Sequence, residues 1–275
     1  MPKGSRPKDG ATEPAVLQTL KELRSHYRNF SWESQVWAQV GRRRSPYRVM
    51  VLFGLSARTK DQLLVKTCRR FFHHFPDPSA LAEHWPTRDG LTKSLTQSIV
   101  RKGQLPFIES LRAKLGEWGG ELPRDKASLL KIVGVGEKIA ECVLAYGWGI
   151  ESLPLDGNGC RMHQRLAGLT DVAKGWNSGK IRDGLKAIFY ARRAWMNGQN
   201  IAMVDIHEML RLHSQLVCGR SPECRRCPVT ECLSRKREYL GGKPPGATKN
   251  LWRDWRDLIL EPANPKQPRL DQSAE

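Results

Sequence analysis

Apolar residues recur along this chain at the three- and four-residue steps of an α-helix, and nowhere in sustained alternation. Leu17, Leu20, Leu23, Tyr27 and Phe30 trace one face of a first helix. The segment DQLLVKTCRRFFHHF, from Asp61, repeats the pattern through Leu64, Cys68, Phe71 and Phe72. A third stretch, ESLRAKLGEWGGELP, is expected to stop at Gly119 and Gly120, with Pro123 beyond as a second stop signal. Helical periodicity returns from Ile181 to Met196, where Leu185, Ile188 and Trp195 share a face, and again from Asp205 to Leu216. The pattern predicts an all-α protein without internal repeats. Residues 241–250, GGKPPGATKN, read as a flexible linker, and NLWRDWRDLIL, Asn250 to Leu260, as a short amphipathic helix after it.

One segment interrupts the periodicity. In KIVGVGEKIAECVLAYG, Lys131 to Gly147, glycines on both sides of Val135 permit a sharp turn with backbone N–H groups near whatever lies outside. Asp125 or Ser128 is placed to cap the short helix that enters the turn. The helix that leaves it has an apolar stripe at Ile139, Cys142, Val143 and Tyr146. Lys138 falls in its first turn, where the positive helix end disfavours an ammonium. A nucleophilic amine is one reading of that placement, and a solvated surface lysine the plain one.

Composition narrows the partners. The chain has 275 residues, 39% of them hydrophobic, enough for one large core or two modest ones. Its 46 Lys and Arg against 28 Asp and Glu leave a formal charge of +18, which favours a polyanion, nucleic acid first. No apolar run is long enough to span a bilayer, and no basic amphipathic helix dominates, so a membrane partner is not expected. MPKGSRPKDGATEP at the N-terminus lacks the apolar core of a secretory signal; residues 1–16 are expected to be disordered and the protein intracellular, in cytoplasm or nucleoid. In a reducing compartment the seven cysteines should be thiols or ligands. Four of them, Cys218, Cys224, Cys227 and Cys232, crowd into CGRSPECRRCPVTEC, which points to a metal. Zinc is the general candidate, although structural zinc sites commonly use two close pairs and only one exists here.

Leu130 to Ala140, a short helix followed by the turn LKIVGVGEKIA, resembles the helix-hairpin-helix of the endonuclease III family of DNA glycosylases. The resemblance implies that the turn around Gly134 and Gly136 holds a DNA phosphate and that Lys138 attacks the sugar. SLPLDGNGCRMHQRL resembles the family's VDxxxxR segment, with Asp156 eighteen positions after Lys138 and Arg161 five positions later. Asp156 is by that match the active-site aspartate; it is equally well placed as a helix N-cap, and the two roles are compatible. The cysteine segment resembles the family's [4Fe–4S] loop, although each outer spacing is one residue short of the usual pattern. Upstream, SPYRVMVLFGLSARTKD resembles the segment ending LLSAQATD; Arg58 stands where the family fills the hole left by the flipped base, and an ungapped count puts Ile99 at the wedge position. The plain readings are a surface charge for Arg58 and a core residue for Ile99.

The similarity runs from about Tyr47 to Cys232. LDGN, Leu155 to Asn158, is closer to the adenine-excising branch, but Phe53 stands where that branch has its glutamate. The resemblance thus implies a two-lobed all-α fold: a helical barrel over 40–150, a cluster lobe over 17–39 and 151–232, and an extension over 233–275. It implies a bifunctional glycosylase and AP lyase acting as a monomer on double-stranded DNA, removing a damaged, modified or mismatched base, a pyrimidine rather than a purine. Gly54 and Gly159, if they face the pocket, would make room for a bulky base. The alternatives are a monofunctional mismatch glycosylase and a non-catalytic iron–sulfur DNA-binding protein.

Overall fold

The computed structural model describes residues 13–27, 45–56, 61–85, 104–166, 179–199, 201–219 and 222–234. Arg58, Ile99, the linker at 241–250 and the helix expected at 250–260 lie outside the described residues. Every regular element described is helical, and no strand occurs among the described residues. The chain divides into two compact units. One holds the elements between Ser45 and Ile150, and the other the first helix with the elements after Glu151.

In the first of these, α2 (Pro46–Ser56) carries apolar residues on every side, with Arg48 the exception, and every residue from Tyr47 to Leu55 is buried. A helix with no polar face belongs at a centre. Against it pack α3 (Asp61–His74), the short α7 (Glu137–Cys142) and the turn that follows α7. The stripe Leu64, Cys68, Phe71 and Phe72 of α3 is buried as its spacing predicts. Next come α4 (Pro78–His84), capped by the Asp77 carboxylate on the N–H of Ala80, and α5 (Leu105–Glu117), which pack on each other. The chain leaves α5 through Gly119 and Gly120, at φ of 65° and 87°, the left-handed stop expected of that pair. The four-residue α6 (Lys126–Leu129) then leads into the hairpin turn.

The helix after the hairpin departs from the continuous stripe expected. From Val143 to Trp148 the backbone widens into a π-helical turn, closed by Gly149 in the left-handed conformation at φ 67°. The widening brings Gly147 against the start of α2, where a Cβ on the glycine would lie 2.8 Å from Pro46 Cα. Backbone meets backbone there, so the position has no room for a side chain.

The other unit is built around α11 (Met203–Leu216), against which α1 (Glu13–His26) and α8 (Gly157–Leu166) pack, with α9 (Gly179–Ala191) on α8. Residues 13–16, expected to be disordered, already belong to α1, whose Val16 is buried. Leu20, Leu23 and Tyr27 are buried as their spacing requires, while Leu17 is only half-buried. The single stretch read from Ile181 to Met196 is two helices, α9 and α10 (Arg193–Gly198), with Arg192 between them outside helical geometry. In α11 burial extends beyond the apolar face to Asp205, His207, Glu208 and His213. Glu208 is paired there with Arg211 at 3.0 Å. A buried charge of this kind is sustained by its partner.

Candidate functional site

The hairpin is assembled from several local constraints. Asp125 accepts the Ser128 N–H at 2.8 Å and is the N-cap of α6, which settles the choice between those two residues. Backbone N–H groups, chiefly that of Ser128, hold its carboxyl below the ordinary range. Gly134 has φ 81°, a conformation open to glycine and costly for other residues. Gly136 is the N-cap of α7. The turn is tied to α5 by the Val133 N–H, which donates to Ser110 Oγ at 2.9 Å, and Phe107 Cβ lies 3.5 Å from where a Gly134 side chain would begin. Val133 is nonetheless 56% exposed, so the tip of the turn faces outward.

Lys138 is the second residue of α7, and its Nζ stands 5.3 Å from the centre of the Phe53 ring. Phe53 is buried and lies against Tyr146 with centroids 5.5 Å apart. The lysine therefore rises from an aromatic floor supplied by α2 and the π-helical turn. Below it, Lys126 Nζ reaches both Glu137 and Glu141, at 3.3 Å and 3.1 Å. Burial lowers the pKa of Lys126, but hydrogen bonding and charge from Glu141 and Glu137 outweigh it, and the net shift is upward. These three residues were not singled out by sequence; the only signal was the i, i+4 spacing of the two glutamates.

In the other unit, Asp156 caps α8. Its Oδ1 accepts the N–H groups of Asn158 at 2.9 Å and Gly159 at 3.2 Å, and its Oδ2 accepts Asn158 Nδ2 at 2.9 Å. Asn158 in turn accepts Arg161 Nη2 at 2.8 Å. The carboxylate is fixed in place by these donors. Gly159, read as making room for a bulky base if it faces the pocket, is closely packed by two leucines. A Cβ there would meet Leu210 at 3.3 Å and Leu155 at 3.4 Å. Gly54, in the first unit, is covered by the Phe107 ring, whose Cζ would lie 2.1 Å from an added Cβ. Both glycines are small because a neighbour fills the space beside them.

The cysteine loop is braced from three helices. Arg165 of α8 donates from Nη1 to the Cys218 carbonyl at 2.9 Å, to the Gly219 carbonyl at 2.6 Å and to Cys218 Sγ at 3.2 Å. Glu22 of α1 accepts the Thr230 N–H at 3.0 Å and also the Thr230 hydroxyl. His213 of α11 has Nδ1 3.0 Å from the Tyr27 hydroxyl and Nε2 3.5 Å from Cys227 Sγ. Burial, with a smaller push from His26, pulls the His213 pKa down to about 3, and burial raises that of Tyr27. A neutral imidazole that accepts a hydrogen bond from the phenol at Nδ1 presents its Nε2–H to the Cys227 sulfur. Cys218, Cys227 and Cys232 pack against the apolar core of this unit. Four thiols with cationic and imidazole donors at sulfur suit a soft metal in kind. Among the described residues, however, no group of three or more His, Cys, Asp or Glu side chains converges closely enough to hold a metal ion.

No protein-family model matches the chain. The chain is similar to the thymine-DNA glycosylase of Aeropyrum pernix, at 25% identity over 77% of this chain and 91% of the relative. It is similar to the endonuclease III of Escherichia coli strain K12, at 26% identity over 70% of this chain and 85% of the relative. Among solved structures, a trapped endonuclease III–DNA covalent intermediate superposes with a TM-score of 0.63 at 23% identity, covering 82% of this chain and 98% of the other, which shows the fold. The endonuclease III of Synechocystis is 30% identical over 67% of this chain and 79% of its own length. With that relationship and the all-α helix-hairpin-helix architecture together, the chain belongs to the endonuclease III family of helix-hairpin-helix DNA glycosylases.

Proposed function

We propose that this DNA glycosylase removes a damaged, modified or mismatched base from duplex DNA and then nicks the strand, with Lys138 as nucleophile. The observation that carries the reading is Lys138 itself, in the first turn of α7 immediately beyond the outward-facing Gly134–Gly136 turn. Hairpin N–H groups and a positive helix end suit a backbone phosphate, and the charge of +18 suits duplex DNA as a whole. A flipped pyrimidine is favoured by the names of two relatives, a thymine-DNA and a thymine/uracil-DNA glycosylase.

In the proposed reaction the neutral Lys138 amine attacks C1′, the C1′–N bond breaks, and its electron pair leaves with the base. Loss of the amine proton and cleavage of the C1′–O4′ bond, whose electron pair stays on O4′, give an imine; removal of a C2′ proton then drives β-elimination, and the C3′–O electron pair leaves with the 3′ phosphate. Asp156, fixed by its donors, stabilises the cationic character that develops on the sugar. Cys218, Cys224, Cys227 and Cys232 would hold a [4Fe–4S] cluster, zinc being the alternative; when bound, the cluster supplies a rigid thiolate-ligated node that orders the loop. Arg165, His213 and Glu22 brace that loop.

Borohydride added during turnover on duplexes carrying modified and mismatched bases tests the reading. A covalent protein–DNA adduct is expected from the unaltered protein and none from Lys138→Ala. Base release that survives in Lys138→Ala while nicking disappears would assign the first step to water. No adduct on an abasic duplex would remove the lyase assignment.

A further inference from the structure

Two carboxylates one helical turn apart share a single ammonium from the other side of the hairpin. Lys126, the first residue of α6, meets Glu137, the first residue of α7, and Glu141 one turn further on. The two contacts differ in weight. Glu137 is 41% exposed, and an ion pair in such a setting contributes little. Glu141 is 6% exposed, and taking away this cation removes a charge partner from a buried carboxylate.

Positions 137 and 141 lie on one face of α7, while position 138 is turned from them by about 100°. Fixing both glutamates against α6 therefore fixes the rotation of α7 about its own axis, and with it the direction in which Lys138 leaves the helix. Propensity alone does not set it: α6 has four residues, and α7 takes its hold from what it packs on, α2 on one side and α6 across the hairpin.

We propose that Lys126 is a positioning residue which, by clamping Glu137 and Glu141, sets the rotation of α7 and aims Lys138 at the sugar. This rests on the reading of Lys138 as the nucleophile. The competing assignment for a hairpin lysine in so basic a chain is a phosphate contact. The two carboxylates within 3.3 Å argue against it, since they already neutralise the ammonium that a phosphate would need.

Lys126→Met in the full-length protein is the test, read by borohydride trapping at saturating abasic duplex and by amide hydrogen exchange over residues 137–142. Trapping is expected to slow about 10- to 100-fold, the cost of a small misplacement, with duplex affinity held within roughly twofold. Exchange over 137–142 should accelerate, and Lys126→Arg should restore both readouts. Lys126→Met/Glu141→Gln removes the buried acid together with its cation and so guards against simple unfolding; it should remain slow and exchange-labile. Parental trapping and exchange in the two Met variants would overturn the proposal. So would a loss confined to affinity, which would assign Lys126 to phosphate. If exchange responds as expected but the unaltered protein forms no adduct, the clamp stands and the nucleophile assignment is what fails.

Discussion

Lys138 Nζ lies over the Phe53 ring, 5.3 Å from its centre, and that ring is itself buried against Tyr146. Phe53 is thus both part of the core and the surface on which the lysine rests. A double-mutant cycle of Phe53→Leu with Lys138→Ala, followed by urea unfolding, should give a coupling of about 0.5–1 kcal/mol for the ammonium–ring contact. Additive losses would show that the ring only fills volume.

Asp156 combines a cap with a proposed catalytic charge, and the two roles can be separated. Asparagine is as good an N-cap as aspartate, so Asp156→Asn should keep thermal stability close to parental. Excision should nevertheless slow by about two orders of magnitude, the loss expected when an electrostatic stabiliser is neutralised. Asp156→Ala should slow excision and also lose about 1 kcal/mol of stability with the cap.

Gly147→Ala should destabilise the fold by about 1–3 kcal/mol, because its Cβ would meet Pro46 backbone that cannot rotate away. Gly54→Ala meets a side chain instead, the Phe107 ring. Thermal unfolding of Gly54→Ala/Phe107→Leu should recover part of what Gly54→Ala loses, and no second-site change of that kind should rescue Gly147→Ala.

Burial, reinforced by the Asp156 charge, pushes the Cys160 thiol up to about 11 from 9.0. The folded chain then binds more protons than the unfolded chain above pH 9. Stability from this group is complete below pH 9 and is lost as pH rises through 11, at up to about 1.4 kcal/mol per unit. Urea unfolding across that window should show a shallower decline in Cys160→Ala.

The four loop cysteines, as proposed cluster ligands, should make the purified protein brown and iron-containing. Metal analysis and visible absorbance decide the matter, and a colourless protein with one zinc would select the alternative. Cys224→Ser should lose the absorbance and lower stability or DNA affinity, leaving Lys138 and Asp156 intact.

What was legible in the sequence was the periodicity and the punctuation. Leu64, Cys68 and Phe71 are buried on α3, Gly119 and Gly120 end α5, and Asp125 caps α6, because each follows from local backbone chemistry. The endonuclease III resemblance, carried by Leu130–Ala140 and Asp156–Arg161, led to the right family. Features that depend on distant neighbours were hidden. The π-helical turn after Cys142 follows a stripe that also fits a regular helix, and the Gly54 and Gly159 environments depend on Phe107 and Leu210, far away in the chain. Lys126 with Glu141, and Tyr27 with His213, become pairs only once the helices have packed.

The four residues of α6 are too few to hold a helix in water, so beyond its own Asp125 cap and Lys126 ion pairs the hairpin leans on Ser110 and Phe107 of another helix. It is a part that exists only when installed. Residues 124–148 excised as a peptide, or grafted onto a scaffold without the counterparts of Ser110 and Phe107, would keep the glycine pattern and lose the geometry that the pattern advertises.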